Sequence, residues 1–223
     1  MDLYEALYTT RAMRRVSTEP VPTDVIQQML DAAIRSPSGS NMQQWRWLVL
    51  TDPDVIRQLG DLYAEAWDEG MRTFYAGTEE RAKAAGDNAM MKIQSSSRWL
   101  RDNMRNVPLI VVACDRNDPM GSSIYPAVWN LMLAARGAGI GTTLTTFNSH
   151  LRHDETRALL GIPADKGWRV AAVIPCGYPL GNWGVATRPP VTDVVYADCW
   201  GEPTGWDVPG PLWRKDPSSP EPQ

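Results

Sequence analysis

The sequence predicts an α+β fold, and three observations carry that expectation. Short β-rich runs at 45–50, 108–114 and 169–175 are separated by amphipathic or alanine-rich helical stretches. With 223 residues, 43% of them hydrophobic, the chain can bury one substantial core. No internal repeat and no separable second domain breaks the pattern, so residues 1–201 are expected to form one domain and 202–223 a proline-rich tail.

Leu3, Ala6 and Leu7 recur at helical spacing, which predicts a short helix over residues 2–10 that delivers Arg11 at its end. A clearer helix is expected from Thr23, as cap, to Arg35. Val25, Ile26, Met29, Leu30, Ala33 and Ile34 form its apolar stripe, and Ser36-Pro37 stops it. Residues 38–44 lack apolar periodicity and read as a loop before the strand 45–50. Asp52-Pro53 then opens a helix through about Trp67, with proline at its first position. Residues 70–106 are polar and Met-rich and are expected to be helical in pieces, as an excursion from the core. A buried strand at 108–114, a helix at 122–136, a glycine-spaced turn at 137–141 and a strand at 169–175 complete the elements. After Gly177, repeated prolines remove backbone donors. This tail is expected to lie over another surface, such as a second subunit, or to be disordered beyond about Trp213.

Composition narrows the function classes. Lys+Arg 22 against Asp+Glu 26, a net charge of -4 spread along the chain, gives no basic surface of the kind that nucleic acid or anionic membrane requires. The 3 cysteines have no CxxC spacing, which argues against a disulfide scaffold or a thiolate zinc site. The first residues show no basic segment followed by an apolar run, and no stretch is apolar for the ~18 residues a membrane helix needs; a cytoplasmic protein acting on a small molecule is expected. Trp47, Trp99, Trp129 and Trp168 lie in amphipathic or apolar segments, where a large ring serves packing.

Several segments carry chemical equipment. Arg11, Arg14 and Arg15 crowd into seven residues. Were that turn helical, Arg11 would lie near the other two, and a shared phosphate would relieve their repulsion; solvated arginines at a helix C-terminus are the plainer reading. Ser36 to Trp45 combines small residues with hydroxyl and amide groups suited to a heterocycle, and equally suits an ordinary helix-to-strand connection. Gly139 to Thr146 offers similar equipment. Its GxG follows a helix, so it is no dinucleotide fingerprint, which should open one. His150 and His153 near Asp154 and Glu155 read as polar residues at a helix start, and no metal site is expected. With no GxSxG, HExxH or GxxxxGK[ST] motif, no catalytic side chain is assigned, and a cofactor is expected to carry the reaction.

Taken in order, these segments resemble the FMN-dependent nitroreductase family over residues 5–201. The matching pieces are Arg11-Ala12-Met13-Arg14-Arg15, Glu19-Pro20-Val21-Pro22, Ser36-Pro37-Ser38-Gly39-Ser40-Asn41 with Gln44-Trp45, Gly139-Ile140-Gly141-Thr142-Thr143, Gly177-Tyr178-Pro179 and Arg188-Pro189-Pro190. The resemblance implies a nitroreductase-like fold: a central, mainly antiparallel sheet flanked by helices, with the C-terminal extension wrapping onto a partner subunit in a homodimer that holds FMN at its interface. It implies that Arg11, Ala12, Met13 and Arg14 meet the FMN phosphate and ribityl chain, and that Arg188 also reaches the phosphate. It places Pro37, Ser38, Gly39, Ser40 and Asn41 against the flavin from the partner, and Thr143, Leu144 and Thr145 near the isoalloxazine ring. Ala12 stands where the family often has Ser, and Gln44 where it often has Pro. The implied activity passes hydride from NADH or NADPH through FMN to an organic acceptor such as a nitroaromatic or quinone. The alternatives are a reductive dehalogenase, a flavin-fragmenting enzyme on the same fold, or a flavin store or sensor without turnover. Met71, Met90, Met91 and Met104 with Trp99 would form either a lid over the flavin or ordinary packing.

Overall fold

A computed structural model describes residues 1–213. The expectation of disorder beyond Trp213 concerns residues outside that range. The described chain divides into two compact units, a central one of residues 12–182 and a terminal one that combines residues 1–11 with residues 183–213.

The central unit is built on a four-stranded antiparallel sheet, in which β1 (Trp45–Leu50), β2 (Leu109–Asp115), β3 (Gly141–Thr142) and β4 (Arg169–Gly177) take the order β1-β2-β4-β3. The α+β expectation and the mainly antiparallel sheet both hold. Every residue of β2 is buried, because both sheet faces are covered. Leu109, Val111 and Ala113 pack with α2 (Thr23–Ala33) and α6 (Ile124–Gly137) on one face. Ile110, Val112 and Cys114 pack with α3 (Pro53–Thr73) and the end of α5 (Asn88–Asn103) on the other. A strand covered twice needs apolar residues at every position, which explains the unbroken run in the sequence.

The elements differ from expectation in instructive places. Thr23 does not cap α2. Pro22 takes the cap position without a side-chain bond, and the helix ends at Ala33, with Ile34 as its C-cap, before the Ser36-Pro37 stop. By contrast Asp52 caps α3 through the Asp54 and Val55 N–H groups, and that helix runs to Thr73, well past Trp67. The 70–106 segment is helical in pieces, with α4 (Thr78–Ala84) before α5, but it is not wholly an excursion: Leu100 and Met104 are core residues beneath β2. Met104 therefore packs, Met71 packs against the same core, and Met91 with Trp99 borders a surface cavity. Trp129 is 39% exposed, whereas Trp47 and Trp168 pack against the core. Short helices α7 (Phe147–Leu151) and α8 (His153–Leu159) follow the Thr-rich segment, with both histidines in them. Among the described residues no cluster of His, Cys, Asp and Glu could hold a metal, and no helix is long and apolar enough to cross a membrane.

In the terminal unit, α1 (Leu3–Thr9) is capped by Asp2, whose carboxylate accepts from Glu5 N at 2.8 Å. The returning chain is tied to it by Ala186 N donating to Tyr8 O and by the Tyr8 and Trp213 rings, 5.4 Å apart. Leu3, Tyr4, Leu7, Trp200 and Leu212 of this unit remain exposed.

Candidate functional site

The arginine-rich segment is not helical. Helix α1 stops at Thr9, and the following chain runs extended along the sheet. Met13 N donates to Thr142 O (2.9 Å), Ser17 N to Tyr178 O (2.8 Å) and Leu180 N to Arg15 O (2.9 Å), and Val16 bridges Pro179. Residues 13–17 thus act as a pseudo-strand beside β3 and the end of β4. Two glycines let it approach: a Cβ on Gly141 would come to 2.9 Å from Met13 Cβ, and one on Gly177 to 3.0 Å from Val16 Cβ. An extended chain turns successive side chains to opposite faces, so Met13 is buried while Arg14 and Arg15 diverge. The two arginines meet different serines of α5. Arg14 Nη1 donates to Ser96 Oγ (3.2 Å) and Arg15 Nη2 to Ser95 Oγ (2.9 Å).

Arg14 borders a cavity of about 430 Å³ whose walls also carry Tyr63, Phe74, Tyr75, Thr143, Leu144, Thr145 and Phe147. The Thr-rich stretch reaches it because Thr145 exchanges two backbone bonds with Val173, at 2.9 and 3.0 Å, extending the sheet edge beyond β3. Thr143 Oγ1 is buried and has no hydrogen-bond partner among the described residues. Tyr63 is 2% exposed. Burial pushes its phenol up to about 12, against the Thr145 hydroxyl hydrogen bond and the Arg14 charge, which pull it down. The phenol is therefore neutral across the physiological range. Burial also lowers the Arg14 value, but a guanidinium remains charged at neutral pH. Arg14 meets no carboxylate among the described residues.

Of the residues singled out in the sequence, the structure brings Arg14, Thr143, Leu144 and Thr145 together on one cavity. Met13 anchors the wall by its backbone, and Ala12 is exposed. Pro37, Ser38, Gly39, Ser40 and Asn41 lie on a separate loop of the central unit. Gly39 N donates to Ser123 Oγ (3.2 Å) and Gln43 N to Ser38 Oγ (3.0 Å). That loop holds three non-glycine residues in the left-handed region, Ser40, Asn41 and Gln43, at φ +50°, +54° and +49°. Such backbone strain concentrates at functional positions. Arg11 and Arg188 belong to the terminal unit and are exposed.

Sequence reading missed Tyr63, the α5 serines, Phe74, Tyr75 and Phe147. Tyr63 continues the buried stripe of α3 formed by Ile56, Leu59, Ala66 and Trp67, so its ring reads as core. Only its hydroxyl, which needs a partner when buried, signals more. Ser95-Ser96-Ser97 is the other available signal, three adjacent hydroxyls in a helix where serine is no favoured residue.

The donor set suits a planar, anionic, partly apolar ligand. Among the described residues it offers a guanidinium without a counter-charge, an unpaired buried hydroxyl and aromatic walls, in a cavity of ordinary small-molecule size. The fold is shared with a crystal structure of oxidized iodotyrosine deiodinase bound to FMN and 3-iodo-L-tyrosine, which superimposes with a TM-score of 0.67 at 22% identity, covering 84% of this chain and 95% of that one. The Nitroreductase family model matches residues 7–178, and the chain belongs to that family. Among curated relatives, the iodotyrosine deiodinase of Nematostella vectensis is 26% identical over 87% of this chain and 74% of its own length. A Thermus thermophilus NADH dehydrogenase is 25% identical over 87% of this chain and 95% of its own. The match to the rat iodotyrosine deiodinase 1 spans only 62% of that protein.

Proposed function

We propose that this chain is an FMN-dependent oxidoreductase that uses NADH or NADPH to reduce an organic acceptor such as a nitroaromatic or quinone, working as a homodimer. The observation that carries the reading is Arg14, facing the cavity without a counter-charge beside the unpartnered Thr143 hydroxyl. Both groups have donors to spare for a ligand rich in acceptors. Bound FMN would supply the hydride chemistry, so that no side chain has to act as a nucleophile.

The residues bind, orient and exclude water. Arg14 offers charge-assisted hydrogen bonds, and Thr143 Oγ1 a single donor at a fixed position. Phe74, Tyr75, Leu144 and Phe147 supply apolar walls. Tyr63 keeps its proton and adds no negative charge to the cavity. By the resemblance alone, Ala12 and Met13 are proposed to line the cofactor, Pro37 to Asn41 to reach the partner's flavin, and Arg11 and Arg188 to be phosphate ligands. The exposed apolar residues of the terminal unit, Leu3, Leu7, Trp200 and Leu212, support a second copy as partner.

A second reading, reductive dehalogenation of a haloaromatic, is favoured by the similarity to iodotyrosine deiodinases. The purified protein is expected to show flavin absorption bands, or to gain them with added FMN, and to lose them anaerobically on addition of NADH or NADPH. A protein that stays colourless with FMN overturns the flavin reading. Bound flavin that neither nucleotide bleaches overturns nicotinamide dependence. Anaerobic turnover of a nitroaromatic, a quinone and 3-iodo-L-tyrosine compared side by side separates the two reactions.

A further inference from the structure

Helix α5 presents three adjacent hydroxyls to three different groups. Ser95 Oγ accepts from Arg15, Ser96 Oγ from Arg14, and Ser97 Oγ from Trp67 Nε1 at 2.8 Å. At Ser96 the donor and acceptor roles are fully assigned. Its hydroxyl donates to Ile93 O (3.0 Å), one turn back on the same helix. That commits its only proton and leaves its lone pairs to receive Arg14 Nη1. The guanidinium is therefore held by a neutral acceptor, which takes one of its five N–H groups and cancels none of its charge.

We propose that Ser96 is a positioning residue whose neutrality keeps Arg14 available to an anionic or electron-rich ligand in the cavity. Aspartate at this place would hold the guanidinium more firmly, because a carboxylate bond to arginine is charge-assisted. It would also consume the charge that the ligand is to meet. Three arginines elsewhere in the same unit are fixed in that way, Arg101 by Asp68, Arg152 by Glu69 and Arg169 by Asp115, whereas Arg15 and Arg81, like Arg14, meet a hydroxyl. At the cavity wall the chain uses a serine. The pseudo-strand sets the direction of Arg14, and α5 sets its reach, 82 residues away in sequence.

This inference rests on the flavin reading for its natural ligand, and its test separates the two. FMN binding is measured by quenching of flavin fluorescence for the wild type and for Ser96→Thr, Ser96→Ala, Ser96→Asn and Ser96→Asp. Threonine should keep the affinity within about twofold. Alanine should weaken it about three- to tenfold, the size of one neutral hydrogen bond. Asp and Asn have nearly the same shape, so their ratio isolates the charge, and Ser96→Asp should bind at least about tenfold more weakly than Ser96→Asn. A merely structural serine gives the reverse order, because the carboxylate would strengthen the joint. Affinity for Ser96→Asp equal to or above that of Ser96→Asn overturns the proposal, as does unchanged affinity in Ser96→Ala. If the aspartate variant does not fold, the alanine and threonine variants decide. If the wild type binds no FMN, the flavin reading fails. The Ser96 claim is then decided on ligand-free protein by phenylglyoxal labelling of Arg14, followed by peptide mass spectrometry. Labelling should be several-fold slower in Ser96→Asp than in Ser96→Asn, and equal rates overturn it.

Discussion

Arg14 and Arg169 stand at two ends of the same sheet and are treated in opposite ways. Arg169, on β4, is clasped bidentately by Asp115 of β2 at 2.6 and 2.7 Å, and it also donates to the Asp118 carbonyl. Asp115 is wholly buried, and its carboxylate holds the guanidinium firmly charged. Arg14 has one hydroxyl and an open cavity. The first arrangement neutralises the charge within the fold. The second leaves donors and charge unspent. An arginine that the fold does not complete is a better pointer to a binding site than the number of arginines in a segment.

The largest effect expected from breaking this contrast is at the completed arginine. Arg169→Ala strands the buried Asp115 carboxylate and should cost about 3–5 kcal/mol of stability, read as a lower urea midpoint with a similar slope. Burial pushes the Asp115 carboxyl up, and without Arg169 little remains to oppose it. A group whose folded value is raised stabilises the fold below its unfolded value, about 3.9, and that stability is lost as pH rises through the folded value. The deficit of the variant relative to wild type should therefore be smallest below about pH 4 and grow towards neutrality. A deficit independent of pH would exclude a stranded carboxylate as its cause.

Next in size, Arg14→Ala should leave the urea midpoint nearly unchanged while weakening FMN binding by roughly 1.5–3 kcal/mol, about ten- to 150-fold, the loss of one charge-assisted contact. Should both variants lose stability alike, the distinction between a completed and an open arginine collapses.

The smallest change is expected at Asp118, beside the completed arginine. Asp118 follows β2 and accepts from Ser123 N and Ile124 N, both at 2.9 Å, capping α6 from outside its first turn. Burial raises its carboxyl value, but those N–H groups and the Ser122 hydroxyl outweigh burial and hold it below the ordinary range. A depressed carboxyl contributes stability above its unfolded value and loses it as pH falls through the folded value. Asp118→Asn should cost about 1 kcal/mol at neutral pH, and the gap to wild type should close below about pH 4 in thermal melts.

The two arginines also show how much is legible in the sequence. Arg14 could be picked out because it sits in a string of arginines and matches a family segment. Its partner could not, since a helical turn there would group it with Arg11, whereas the extended chain carries it to Ser96 on α5. Arg169 opens a strand in the sequence and no local feature marks it, because Asp115 lies 54 residues away. Among the candidate residues, Thr143 to Thr145 were placed by resemblance. Tyr63, which shares their cavity, was absorbed into the apolar period of α3.

The sequence by itself determined three of the four strands, the amphipathic helices and the α+β class. Those follow from local periodicity and capping, in which each residue is read against neighbours a few positions away. Only the tertiary structure decided which polar groups are satisfied. The pairing of Arg169 with Asp115, the neutral hold of Ser96 on Arg14 and the unspent hydroxyl of Thr143 depend on which distant elements the sheet and α5 bring within hydrogen-bond range. A hydrogen bond is a short-range contact, and its partner has no fixed spacing in sequence.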